Sequence, residues 1–190
     1  MPISTIGSAG LASPLTPSSL VLANATGLPK AALPSGSVLQ VVNTSTYSPQ
    51  TMSITASGTL VASGFTLAIT PSSATNKILI FYSSTFGSTS SNSGVAGTVQ
   101  MYRNINGGAY GYSGGSYNNY WNTIATYIAY QQLSFSLMHL DSPATTSQVI
   151  YQPYFNVSCG TAGGQGVLGG RNTDGLSYSG SYMVAMEIVA

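Results

Sequence analysis

From Gly36 onward, apolar residues fall on alternate positions within short runs, and clusters of Gly, Ser, Asn and Pro separate the runs. A period of two sends successive side chains to opposite faces of an extended chain, so this pattern specifies half-buried β-strands. The runs are GSVLQVVN (36–43), QTMSITAS (50–57), GFTLAIT (64–70), KILIFYSS (77–84), GTVQMYRN (97–104), WNTIATYIAYQ (121–131), QLSFSLMHL (132–140), SQVIYQPYFNV (147–157) and SYMVAMEIVA (181–190). None repeats its apolar residues at the helical spacing of 3.6. Asn106-Gly107 and Asp174-Gly175 suit tight turns, and Asp141-Ser142-Pro143 reads as a turn between two strands. The expected fold is all-β: an antiparallel sandwich of jelly-roll type with about eight strands over residues 36–190.

Residues 1–35 have a different character. Pro14, Pro17, Pro29 and Pro34 break helices and central strands, while Leu11, Leu15, Leu20, Leu22 and Leu28 supply apolar anchors at intervals. An extended arm that docks on something else fits this better than a free linker, which would be poorer in Leu. The five leucines are the candidate attachment residues.

Two strands, KILIFY and MVAMEIVA, are apolar on both faces. In a sandwich with one wet face per sheet, this leaves apolar surface that symmetric association would cover, and a homotrimer about a threefold axis suits such a domain. Charge points the same way. Only 4% of the residues are charged, namely Lys30, Lys77, Arg103, Arg171, Asp141, Asp174 and Glu187. Four scattered cations cannot neutralise a phosphate backbone, so no nucleic-acid partner is expected. Residues 1–10 lack a basic region followed by an apolar one, and no apolar run reaches bilayer length; a signal peptide and membrane insertion are not expected.

Catalytic and metal chemistry finds little to stand on. His139, Asp141 and Ser142 are triad residue types, but on one strand His139 and Asp141 share a side while Ser142 points away. Gly164 to Gly169 matches GxGxxG literally, yet GRNTDG follows it and cannot start a helix, so the stretch reads as a glycine-rich loop. Three acids, one His and the single Cys159 make neither a glycosidase pair nor a metal set. No enzyme activity, cofactor or metal is expected.

The informative stretch is NINGGAYGYSGGSYNNYWN (104–122). Tyr110, Tyr112, Tyr117, Tyr120 and Trp121 give rigid amphipathic area, and Asn118 and Asn119 give adaptable hydrogen bonding, the composition of binding loops. Two readings stand side by side: contact with sugars, or packing against neighbouring residues and subunits.

The segments PSGSVLQVV (34–42), ITPSSATNKILI (69–80) and LDSPATTSQVIYQ (140–152) resemble a β-domain of tailed-bacteriophage virion appendages, the tail-fibre and head-fibre proteins of marine and cyanobacterial phages. ATGLPKAALPSGS (25–37) is similar to the linker that precedes such domains, so the resemblance spans about residues 25–190. It implies a trimeric β-domain on a virion surface, made in the host cytoplasm and attached to tail or capsid proteins by its N-terminal arm. It leaves open a short receptor-binding fibre or a capsid decoration protein.

Overall fold

The computed structural model describes residues 33–53, 60–88, 95–113, 132–159, 165–170 and 179–190, all but the first of them within the unit Pro34–Ala190. The strands are β1 (Val38–Thr46), β2 (Gln50–Ser53), β3 (Leu60–Ala62), β4 (Leu67–Ile69), β5 (Lys77–Ser88), β6 (Val95–Ile105), β7 (Gly111–Tyr112), β8 (Gln132–Asp141), β9 (Val149–Cys159), β10 (Gln165–Leu168) and β11 (Ser181–Ile188). All their pairings are antiparallel.

One sheet runs β1-β11-β5-β8. Along the second half of β5, the edge that β11 vacates is taken by β10, with β2 beyond it. The other sheet runs from β3 and β4 through β9 and β6 to β7, with β3 and β4 sharing one edge of β9. First strand beside last, then β5 and β8 in one sheet, with β3, β4, β6, β7 and β9 in the other, is jelly-roll connectivity. The fold is the expected all-β antiparallel sandwich.

Alternation explains which residues line the core. The inward phase of β5 is Ile78, Ile80 and Tyr82; of β11, Met183 and Ala185; of β8, Phe135 and Leu137. The facing sheet contributes Val99 and Met101 from β6, Val149, Tyr151 and Phe155 from β9, and Leu67 and Ile69 from β4. All are buried, and each such side chain is worth roughly 1.5–3 kcal/mol of transfer free energy. Tyr82, Phe135 and Phe155 meet edge-on through the centre, with ring centroids 5.6 and 6.4 Å apart.

Pro153 sits inside β9, where a missing N–H normally costs a ladder bond. Here the missing donor faces the gap between β3 and β4. Its carbonyl on the same side accepts from Ser63 N (3.0 Å), so the ladder to β6 is untouched. Ser63 then turns the chain: its Oγ accepts from Phe65 N at 3.0 Å, and Phe65 drops into the core.

Two local expectations need correction. Residues 165–168, read as part of a glycine-rich loop, form β10 and bridge β5 to β2. Asp141, read as opening a turn, is the buried last residue of β8. Asn106-Gly107 behaves as expected: φ values of 52° and 75° and a Gly108 N to Ile105 O bond of 3.0 Å close the β6–β7 hairpin. Asp174-Gly175 and the run 121–131 lie outside the described residues.

Candidate functional site

Of the residues singled out for ligand contact, Tyr110 and Tyr112 are described; Tyr117, Asn118, Asn119, Tyr120 and Trp121 lie outside the described residues, as do Leu11, Leu15, Leu20, Leu22 and Leu28. The β6–β7 hairpin carries Tyr110 and Tyr112 onto the outer face of the β9-β6-β7 sheet. There the register adds two tyrosines from the strands themselves. Tyr102 lies opposite Tyr112 on β7 and opposite Gln152 on β9, and Tyr154 lies opposite Gln100.

The four rings form a continuous strip. Tyr112 and Tyr102 are 5.8 Å apart, Tyr102 and Tyr154 stack at 4.3 Å with planes tilted 32°, and Tyr154 and Tyr110 are 5.9 Å apart. Tyr112 is the exposed end. Asn104 and Gln152, also in the outward phase, are nevertheless buried, at 6% and 7% exposure. Burial pushes the Tyr110 phenol up, the neighbouring Tyr154 adds to this, and a hydrogen bond from the Asn104 side chain opposes it. That bond uses the Asn104 amide nitrogen. Its Oδ1 is buried with no partner among the described residues.

The second polar group joins the two sheets. Asp141 on β8 is ion-paired through Oδ1 with Arg103 of β6, and Oδ2 accepts from the Tyr151 hydroxyl of β9 at 2.7 Å. Arg103 Nη1 also reaches Ser113 O at 3.4 Å. Burial, and secondarily the Asp141 carboxylate, drives the Tyr151 phenol far above its ordinary range, so it stays a donor. His139 does share the inward phase with Asp141, as the alternation predicts. Both carboxylate oxygens are engaged elsewhere, however. Rather than being satisfied at a strand end, His139 keeps a buried Nε2 with no partner among the described residues. Ser142 is exposed, so the three triad types do not converge.

Glu187 is fully buried in β11 and was not singled out by sequence reasoning, although its inward phase with Met183 and Ala185 is a readable signal. It accepts from Gln40 Nε2 (2.7 Å), Ser72 N (2.6 Å), Ser72 Oγ (2.7 Å) and Asn76 Nδ2 (2.7 Å). Burial pushes its carboxyl up, but the donors from Asn76, Ser72 and Gln40 outweigh it and hold the group below the usual glutamate value. Glu187 thereby ties β1 and the β4–β5 loop to β11. Among the described residues no three His, Cys, Asp or Glu gather as a metal set.

The outer face of β1-β11-β5-β8 has a third character. Cross-strand register lines up Val41, Met186, Leu79 and Leu140 in one row, and Val184, Phe81 and Met138 in the next, with Val38 and Ile188 at the margin. Met138 is 61% exposed, Val41 53% and Leu140 50%.

No family model matches the chain, and no curated protein matches it. Among solved structures it is similar to the infectious bursal disease virus Gx strain (14% identity, TM-score 0.41, 87% of this chain and 42% of that one). It is also similar to the T13 particle of the same virus (14%, 0.42, 87% and 40%) and to its VP2 subviral particle (14%, 0.39, 80% and 38%). The chain spans about two fifths of the length of the structures it matches.

Proposed function

We propose that this is a non-enzymatic structural protein of a phage virion, a surface-displayed homotrimer whose residues 1–35 attach it to tail or capsid proteins. Its tyrosine-rich 104–122 region contacts host surface glycans. The observation that carries the self-assembly part is the apolar outer face of β1-β11-β5-β8. A monomer gains nothing by lining a wet sheet face with Val, Leu, Ile, Met and Phe. Met138, Val41, Val38 and Leu140 on that face are each half or more exposed, and large contiguous apolar patches on a protein surface mark interaction sites. The virion part is supported by the resemblance of residues 34–42, 69–80 and 140–152 to appendage β-domains.

Sedimentation equilibrium of the full chain tests the first part, with a mass of three chains expected. Copy number per particle, by quantitative mass spectrometry against the major capsid protein, tests the second. A few copies per tail or vertex fits a fibre, a number comparable to the capsid subunits fits decoration, and absence from particles rejects the virion reading.

A further inference from the structure

We infer that the outer face of the β9-β6-β7 sheet, with Tyr102, Tyr112, Tyr154 and the amides of Asn104 and Gln152, is a binding site for an uncharged pyranose chain. This rests on the glycan-contact reading and shifts its site from the 104–122 stretch to the outer face of the β9-β6-β7 sheet.

Three observations converge. The four rings are contiguous, with Tyr102 and Tyr154 tilted 32° and Tyr112 and Tyr110 set at 64° and 51° to their neighbours, and a pyranose ring presents an apolar face of C–H groups that stacks on an exposed ring such as Tyr112. Polar side chains of the same phase are neutral amides, and no charged residue stands in the outward phase of β6, β7 or β9. The sole cation of β6, Arg103, points inward to Asp141. A ligand bearing carboxylate or phosphate gains no ion pair here, whereas sugar hydroxyls can both donate to and accept from amides and phenols.

Asn104 Oδ1 supplies the third. A buried acceptor without a donor costs about 1–3 kcal/mol, and native structures rarely leave one without a reason. Its amide nitrogen is committed to Tyr110, so the oxygen is the atom left for a donor such as a ligand hydroxyl to meet.

The test is a titration of the full-length protein with cellohexaose, maltohexaose and a β-1,4-galactohexaose, followed by amide chemical shifts, with a hyaluronate octasaccharide as acidic control. At least one neutral hexasaccharide should bind with Kd at or below the order of 1 mM and shift residues 100–104 and 150–154. Tyr102→Ala should weaken it at least 10-fold and Tyr102→Phe less than 3-fold, since the ring does the stacking. Asn104→Asp, which places a carboxylate on the face, should also weaken it.

Shifts confined to other surfaces, or a Tyr102→Ala variant that binds as tightly as wild type while remaining folded by circular dichroism, overturn the site and leave glycan contact standing. Failure of all three neutral probes at concentrations on the order of 10 mM overturns the uncharged-pyranose site itself. If the hyaluronate octasaccharide then binds, the ligand is acidic and the broader glycan reading survives. If the protein also fails to adsorb to host cells, that reading falls too.

Discussion

On the outside of β1-β11-β5-β8 two neighbouring rows are dominated by Val, Leu, Met and Phe, with Asn43, Ser45, Ser83, Ser136 and Tyr182 towards the other end; on the outside of β9-β6-β7 Tyr, Gln and Asn predominate, with Ile150 beside Asn104. Both sheets bury apolar inward phases of the same kind, so the sandwich itself places no demand on either outer face. Alternation fixes what points in, and the outward phase is free to record what each face meets. In the proposed function the apolar face is the one covered by more protein, and the face of rings and amides is the one that meets a hydroxyl-rich surface.

The largest effect should come from charging the apolar face. Met138→Glu with Val41→Lys, at the two most exposed positions, buries two ions in any interface formed there. Self-association should weaken by 100-fold or more, about 3 kcal/mol, read by sedimentation velocity with β-sheet content unchanged. An unchanged mass would remove this face from assembly.

Next is the staple beneath that face. Glu187→Gln replaces an acceptor-only group by an amide whose NH2 confronts donors from Ser72, Asn76 or Gln40. A cost of about 2–3 kcal/mol, a fall in melting temperature of roughly 5–10 °C, is expected by calorimetry.

Acid should expose the same group. Its folded-state pKa is lowered, so its contribution is complete above the unfolded glutamate value of about 4.3 and is lost as pH falls through the folded value. Melting temperature followed below about pH 4.3 should drop less steeply in Glu187→Gln than in wild type.

A smaller loss, about 1–2 kcal/mol, is expected for Gly180→Ala. Gly180 has φ of 75°, and an added Cβ would lie 3.2 Å from the Thr46 carbonyl. Urea unfolding measures it. Smallest is Tyr112→Ala on the tyrosine face, where the loss of one exposed ring should cost under about 1 kcal/mol and leave the oligomer mass unchanged. A collapse of the oligomer in that variant would erase the division of labour between the faces.

Much of this architecture can be read from the amino-acid order, and the gaps have physical causes. β5, β8 and β11 are legible because their inward phases are long and apolar. β3, β7 and β10 are two to four residues long, too short to show a period. β10 is half glycine-flanked, and its strand character comes from ladder bonds to β5 and β2, not from its own side chains. Asp141 was misread because Asp-Ser-Pro is a strong local turn signal, whereas its partner Arg103 is remote in sequence. The tyrosine face was half visible. Tyr110 and Tyr112 stand in a conspicuous loop, while Tyr102 and Tyr154 are dispersed among core positions, and only the register of β6 on β9 brings them together.

The pairing of β1 with β11 has a mechanical meaning. Val38 lies opposite Ile188, and Gly36 N bonds Val189 O while Val189 N bonds Ser37 O, each at 2.9 Å, so both strands present their free ends at one margin of the sheet. Tension applied between Pro34 and Val189 would load those bonds one at a time, as a zipper opens. Tension entering at Pro34 but resisted by neighbours gripping the outer surface of β5 and β8 would load the whole ladder at once, in shear. If subunits assemble through that surface as proposed, the same seam would open readily in an isolated subunit and resist a pull on the chain before β1 in an assembled one.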